Sequence, residues 1–276
     1  MLVINSKRKK RIFEQLLFFP LIAFFFIADS YADAKLLVFP QSVVFNDRDH
    51  SQEITLSNMG DRTGVFTVQW VDYSMTDSGG LTVWSEPGFS PWSIQPFIRY
   101  SPRRVTLAPN ESQVVKIGLI KKHDVPVKEY QSHIVVRTIN PNLEANKIPA
   151  TATDKQSIKI DTLMGVGVPV RWEHGTDLAK AHIDIKSISN DKVSITITRE
   201  GLASTRGYLH VLQKAANGSQ ILLSKPEHLV IYPNLSSRTI DLSITKRANP
   251  NLPIMIYYSE DMDKFDKIIG YTSHHI

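Results

Sequence analysis

Apolar and polar residues alternate in short runs through most of the chain after residue 35, and no segment there repeats apolar residues with the 3.6-residue period of a helix. This pattern predicts an all-β protein. Seven strands within about 140 residues are typical of an immunoglobulin-like sandwich. In the first half, the predicted strands are residues 36–45, 52–58, 64–73, 104–107, 112–119, 130–138 and 157–172.

The last of these strands contains the longest alternation in the chain. Every second residue from 158 to 170 is apolar except Thr162. Two glycines and Pro169 lie within the run, and because proline cannot donate to a sheet and glycine has no side chain to pack, the run predicts an edge strand. Natural proteins cover or blunt long apolar edges, so we expect another chain to pair with this one.

The pattern breaks at residues 173–177 and then resumes with a second series of strands. The sequence therefore predicts two immunoglobulin-like β-sandwich domains in series, with the first at 35–174 and the second at 175–276. The predicted strands of the second domain are residues 182–189, 192–199, 208–213, 220–223, 238–244 and 254–259.

The first 34 residues have the composition of a secretory signal peptide. Five basic residues at 7–11 precede an apolar stretch at 16–28, and small residues follow, which places cleavage after Ala32 or Ala34. A stretch of 13 residues interrupted by Pro20 is too short to cross a bilayer of ~30 Å as a helix. We therefore expect export, with no membrane insertion after signal cleavage.

Composition narrows the function classes. The formal net charge is +5, and residues 1–34 carry five basic and three acidic residues, so +3 remains after cleavage. So small an excess does not favour a nucleic-acid-binding protein. The chain has no cysteine, which excludes disulfides and thiolate metal sites. No common catalytic, nucleotide-binding or zinc motif occurs, so we expect neither catalytic residues, nor a bound metal, nor a cofactor.

The absence of a motif does not exclude a serine hydrolase, because the catalytic residues of such an enzyme need not be close in sequence. Ser132 and His133 follow each other on one predicted strand and should therefore face opposite sides of the sheet. Tyr130, at the start of the same strand, is positioned to form a tyrosine corner with the backbone.

Three segments resemble the periplasmic chaperones of pilus assembly by the chaperone/usher pathway. They are IRYSPRRVTLAPNESQVVK at 98–116, EYQSHI at 129–134 and VPVRW at 168–172. The resemblance covers most of the chain after the signal peptide, is strongest at 98–172, and is typical of a divergent branch of the family.

The resemblance implies two immunoglobulin-like domains in a boomerang arrangement, located in the periplasm of a Gram-negative bacterium. It implies as partners the pilus or fimbrial subunits, which lack a final strand, and an outer-membrane usher, which receives the subunits. The chaperone donates the last strand of its first domain, and no cofactor takes part. Here the side chains that would fill the subunit are Ile158, Ile160, Thr162 and Met164. The alternative for these residues is that they fill the chain's own core.

Two positions depart from the family. Its members hold the terminal carboxylate of the subunit with an arginine on the first strand and a lysine on the donor strand, but Ser42 and Gly167 stand near those positions. We expect an arginine elsewhere to replace the pair, since a guanidinium binds a carboxylate through two parallel hydrogen bonds. The candidates are Arg103 and Arg137 first, then Arg99, Arg104 and Arg171, and each has the alternative of being an ordinary exposed strand residue.

Two other functions remain as alternatives. A secreted structural fibre subunit or adhesin would also be an exported β-sandwich, but it would carry a detachable donor extension, whereas strand-like residues begin here at 36. An exported hydrolase is less favoured, because no catalytic motif supports it.

Overall fold

The computed structural model describes residues 35–120, 124–139, 165–175, 179–215, 217–262 and 267–274. Within these ranges the regular structure is β-strand, apart from one 3-10 turn at Gln95–Phe97. No helix in this part of the chain has the length and hydropathy to cross a membrane. Ala32–Ile276 forms one compact unit.

The first sandwich has two sheets, with strand orders β1-β3-β9-β7 and β2-β11-β10-β4-β8, and a separate hairpin of β5 and β6. Its strands are β1 Leu36–Phe39, β2 Val43–Asn46, β3 Ser51–Asn58, β4 Gly64–Val71, β5 Tyr73–Met75, β6 Leu81–Val83, β7 Ile98–Ser101, β8 Arg104–Leu107, β9 Ser112–Leu119, β10 Lys128–Ile139 and β11 Gly165–His174.

One predicted strand of this sandwich is divided in the structure, and a second pair of strands is divided between the sheets in the same way. Residues 36–45 form two strands rather than one, because Pro40 interrupts the segment, and β1 and β2 then join opposite sheets. Pro102 likewise separates β7 from β8, which join opposite sheets. In the immunoglobulin-like order, the first strand (β1 and β2) and the fourth strand (β7 and β8) therefore each pass from one sheet to the other.

The core of the first sandwich follows the predicted alternation. β3 turns Ile54 and Leu56 inward, and both are fully buried, while the residues between them are part-exposed. Phe45 and Phe66 fill the space between the two sheets and are also fully buried. Core packing therefore fixes which face of each strand is left for other contacts.

Two tight turns and a tyrosine corner connect strands of the first sandwich. Residues 77–80 close the β5–β6 hairpin, with Gly79 at φ 88°. Asn110, at φ 61°, lies in the turn between β8 and β9. Tyr130 forms the predicted tyrosine corner, since its hydroxyl donates to the carbonyl oxygen of Pro126 at 3.0 Å.

The second sandwich has its own apolar core between the sheets β12-β13-β17 and β15-β14-β18-β19, and β16 pairs with another part of β14. β16 and β19 were not predicted. The strands are β12 Ala179–Ile188, β13 Lys192–Gly201, β14 Thr205–Lys214, β15 Gln220–Leu222, β16 Glu227–Ile231, β17 Ser237–Ser243, β18 Ile254–Ser259 and β19 Ile268–His274.

The predicted fold class, an all-β chain with two immunoglobulin-like sandwiches, is therefore confirmed. The exact domain boundary near residue 174 stays a prediction.

Candidate functional site

Strand β11 is paired on both edges along only part of its length. It pairs with β10 from Gly165 to His174, whereas β2 covers its other edge only at residues 170–173. At residues 165–169 no described strand occupies that second edge. The sequence predicted an edge strand over 158–170, with 158–164 as the donated part and 166–172 closing the first sandwich. Of that run, 158–164 lie outside the described residues, and 165–169 have no described strand on this side.

The predicted donor side chains precede this open edge along the chain. Ile158, Ile160, Thr162 and Met164 lie outside the described residues, as does all of the chain from 140 to 164. The described part of the site therefore begins at Gly165.

An apolar groove of about 370 Å³ lies beside the open edge, between β1 and β11. Val166 packs partly into the core from the β11 side, and Leu37 on β1 is 50% exposed. Since aliphatic side chains form most of its walls, the groove suits apolar side chains of a paired strand. Its lining residues are Leu36, Leu37, Val38, Gln41, Val166, Gly167 and Val168.

The two positions at which the family carries its basic pair lie next to this groove. Gly167 is part of the groove wall, and a Cβ added to it would meet no atom within 4 Å. Ser42 immediately precedes β2, the strand that covers the other half of β11. The site thus has space for a side chain at residue 167, but the glycine there supplies no positive charge.

Three of the five candidate arginines lie far from the groove. Arg99 is on β7, Arg104 is on β8, and Arg103 lies between these strands with its guanidinium 5.3 Å from the ring centre of Tyr100. β7 and β8 are the last strands of their sheets, at the opposite side from β1 and β11.

The other two candidates flank the open edge of β11. Arg137 lies on β10 opposite Gly165 and is exposed. Arg171 lies on β11 itself, where its side chain is 19% exposed and its Nε donates to Oε1 of Glu173 at 2.9 Å. Six residues of strand, or about 20 Å, separate Gly165 from Arg171. The structure therefore places one guanidinium at each end of the edge and does not bring the five candidates together.

A buried ion pair connects β10 to the second sandwich. The Glu129 side chain is 2% exposed and accepts hydrogen bonds from Ser204 Oγ at 2.6 and 2.8 Å and from Arg206 Nη2 at 3.0 Å. Arg206 Nη2 also donates to Gln131 Oε1 at 2.8 Å. Removing one partner would leave the other charge buried and unpaired, so this cluster fixes the junction between the sandwiches.

The sequence contained a signal for this junction that the strand prediction did not use. Tyr130 and Ile134 face the core, so Glu129 and Gln131, the polar residues on either side of Tyr130, must face outward. Both are nonetheless 2% exposed, because the second sandwich covers them.

Ser132 and His133 face opposite sides of the sheet, as predicted. Ser132 Oγ donates to Asp72 Oδ1 inside the first sandwich, and Ser93 Oγ donates to the same carboxylate oxygen at 3.0 Å. His133 instead lies at the junction, with Nε2 3.2 Å from the hydroxyl of Tyr232. The two side chains thus do not form the serine–histidine pair of a hydrolase.

Comparisons with known proteins give similarity in structure only. No family model matches the chain, and no curated protein matches its sequence. The chain is similar to the class 5 fimbriae chaperone CfaA, at 12% identity and a TM-score of 0.49, over 87% of this chain and 98% of that one.

Two further solved structures show similarity at the same level. One is the CsuC–CsuE chaperone–tip adhesion subunit pre-assembly complex of the archaic chaperone-usher Csu pili of Acinetobacter baumannii, at 12% identity and a TM-score of 0.43, over 75% of this chain and 90% of that chain. The other is the CupB2 chaperone of Pseudomonas aeruginosa, at 10% identity and a TM-score of 0.44, over 86% and 97%.

The buried His133 predicts a pH dependence of stability. Burial, with the positive charge of Arg206 adding to it and Asp72 opposing it, lowers the pKa of His133 from 6.5 to about 4. Between pH 4 and pH 6.5 the unfolded chain binds a proton at His133 that the folded chain does not bind. The contribution of His133 to the free energy of unfolding is therefore complete above pH 6.5 and is lost as the pH falls toward 4. The loss amounts to roughly 3 kcal/mol of the free energy of unfolding.

Urea unfolding of the wild-type chain and of His133→Gln at pH 7 and pH 4.5 measures this contribution. The wild type should lose more stability than the variant on acidification, because glutamine does not titrate. An equal loss in both proteins would contradict the role of His133.

Proposed function

We propose that this chain is a periplasmic chaperone of pilus or fimbrial subunits that binds each subunit by strand pairing at β11 and passes it to an outer-membrane usher. The open edge of β11 at residues 165–169 is the observation that carries the proposal. A strand that joins this edge gains main-chain hydrogen bonds for affinity and uses the adjacent groove for side-chain specificity.

Two of the three segments that resemble pilus-assembly chaperones belong to this edge. Residues 129–134 are part of β10, the strand that pairs with β11, and residues 168–172 are part of β11 itself. Residues 98–116 form β7, β8 and most of β9, which belong to the framework of the same sandwich.

The proposed donor residues extend the same strand toward its N-terminal end. Ile158, Ile160 and Met164 alternate in register with Val166 and Val168, so pairing of 158–164 with a subunit would continue the run of β11. Burying these three side chains contributes on the order of 5 to 9 kcal/mol gross. Association costs are of similar size, which suits a complex that forms readily and still releases its subunit.

The fibre-subunit alternative is less consistent with the structure. A fibre subunit needs an N-terminal extension that is free to pair with another copy. Here β1 pairs with β3 along its whole length, from Leu36 opposite Asn58 to Phe39 opposite Thr55. The first described strand thus belongs to the chain's own sheet.

We also infer that the function involves no catalysis. The serine–histidine neighbours of β10 face opposite sides of the sheet: Ser132 Oγ donates to Asp72, whereas His133 Nε2 lies beside the hydroxyl of Tyr232. Strand pairing needs neither a nucleophile nor a cofactor.

Charge placed in the donor strand or in the groove should abolish subunit capture. One variant combines Ile158→Asp with Ile160→Asp, and a second carries Leu37→Asp. We expect both to leave the chain folded but to remove most of the chaperone–subunit complex, because a carboxylate buried in an apolar groove has no partner for its charge. The measurement is co-purification from the periplasm with fimbrial subunits encoded by neighbouring genes.

Met59→Asp is the matched control, since Met59 is 54% exposed on the same sandwich and does not line the groove. It should capture the subunit as the wild type does. Full capture by the donor and groove variants would show that the subunit binds elsewhere.

The positions of the arginines predict which of them hold the subunit. Arg137→Gln and Arg171→Gln should weaken capture, because these residues flank the open edge, whereas Arg99→Gln, Arg103→Gln and Arg104→Gln should not. Loss of one charge-assisted hydrogen bond corresponds to about a ten-fold weaker dissociation constant. Titration of purified chaperone with a subunit peptide that ends in a free carboxylate, and with its amidated form, gives the measurement.

A variant that lowers affinity for both peptides equally does not act through the carboxylate. If only Arg103→Gln or Arg104→Gln lowers affinity, the anchor lies on the far side of the sandwich and this placement is wrong.

A further inference from the structure

The hairpin of β5 and β6 is a separate piece of sheet attached to the first sandwich. Its strands have three residues each and pair with each other, and neither pairs with another strand in the described part of the chain. All three residues of β6 are exposed, including Leu81 and Val83. Because an isolated two-stranded hairpin is at best marginally stable in water, this one depends on other contacts for its order.

The base of the hairpin is fixed to the first sandwich. The backbone N–H of Trp84 donates to the carbonyl oxygen of Asp72 at 2.9 Å, and Trp92 Nε1 donates to that of Tyr73 at 3.2 Å. The Asp72 carboxylate is buried and accepts a further bond from the N–H of Ser90 at 3.0 Å. These bonds lie where the two strands leave the first sandwich and not at the tip of the hairpin.

The tip of the hairpin is held by the second sandwich. Asn234, in the loop between β16 and β17, bonds the backbone of Met75 twice: the Met75 N–H donates to Oδ1 at 3.0 Å, and Nδ2 donates to the carbonyl oxygen at 2.9 Å. Arg238 Nη2 donates to the carbonyl oxygen of Ser78 at 3.2 Å. A Cβ added to Gly79 would clash with the same guanidinium, which therefore lies directly against the turn.

The side chain of Met75 adds an apolar contact outside both cores. Met75 is only 7% exposed, yet it belongs to neither the core of the first sandwich nor that of the second. Because its backbone bonds Asn234, this burial takes place where the hairpin meets the loop between β16 and β17. The hairpin thus gains buried apolar area from the second sandwich that its own two strands do not provide.

The loop that receives the tip is held by its own sandwich. Arg199 donates from Nε to the carbonyl oxygen of Leu235 at 2.9 Å and from Nη2 to that of Pro233 at 3.0 Å. In the same loop, the hydroxyl of Tyr232 lies 3.2 Å from Nε2 of His133 on β10. The loop is therefore a fixed element that contacts both β10 and the hairpin.

We propose that the hairpin is a strap with two states. In the closed state the loop between β16 and β17 holds its tip, and in the open state the hairpin loses its order while both sandwiches stay folded. The bonds at its base act as the hinge, because both partners of each bond belong to the first sandwich. The closed strap adds a second connection between the sandwiches, apart from the ion pair of Glu129 and Arg206. A local opening of this kind costs less than global unfolding, because few buried contacts are lost.

Native-state hydrogen exchange of the full chain tests the strap. Asn234→Ala removes two bonds at the tip, and Arg238→Gln removes the contact with the turn. We expect each variant to make the amides of Thr76 and Gly79 exchange about ten-fold faster, although both amides donate within the hairpin and not to either variant residue. Exchange at Ile134, on the central strand β10, should be unchanged.

Asn217→Ala is the matched control for the loss of an asparagine side chain from the second sandwich. Asn217 Oδ1 accepts from the N–H and the hydroxyl of Ser219 within its own turn. This variant should leave the exchange of Thr76 and Gly79 as it is in the wild type.

Two results would overturn the inference, and neither measurement needs a subunit. If Asn234→Ala speeds exchange only at Met75, whose bond it removes, the hairpin keeps its order without the second sandwich. If exchange at Ile134 rises by the same factor as exchange at Thr76 and Gly79, the hairpin opens only when the whole chain unfolds.

Discussion

The proposed binding edge depends on the uneven pairing of one strand, β11. β10 supports β11 along its full length, but β2 covers the opposite edge of β11 only at residues 170–173. The covered end carries Val170 and Trp172 into the core and so anchors the strand, while no strand in the described part of the chain pairs with this edge at residues 165–169. One strand thus closes the first sandwich and presents an edge to a partner.

The edge has a fixed position because β10 is held from both sides. Its inward residues pack in the core, and its outward residues Glu129 and Gln131 bond Arg206 of the second sandwich. The second sandwich therefore stabilises the strand on which β11 rests.

Period-two alternation was sufficient to predict the fold class, because each sandwich buries one face of each sheet. It predicted β8 and β9 to the residue. It could not show that Pro40 and Pro102 divide strands between sheets, since that depends on the partner strand and not on the local pattern. The short β5, β6 and β7 were not predicted as strands of their own.

The site was predictable only in part. Glycine and proline in the 158–170 run indicated the edge, and the structure shows the edge at 165–169. The distance of each arginine from the groove could not be predicted without the sheet order, which separates Arg103 from β11 by the width of the sandwich.

Hydrogen exchange at the amides of Val166, Gly167 and Val168 tests the central claim most directly, because these amides lie on the part of β11 that β2 leaves uncovered. Those directed away from β10 should exchange rapidly in the free chain and slowly in the complex with a fimbrial subunit, while the amides of residues 170–173 stay protected in both states. Unchanged exchange at residues 166–168 in a complex that has formed would contradict strand pairing at this edge.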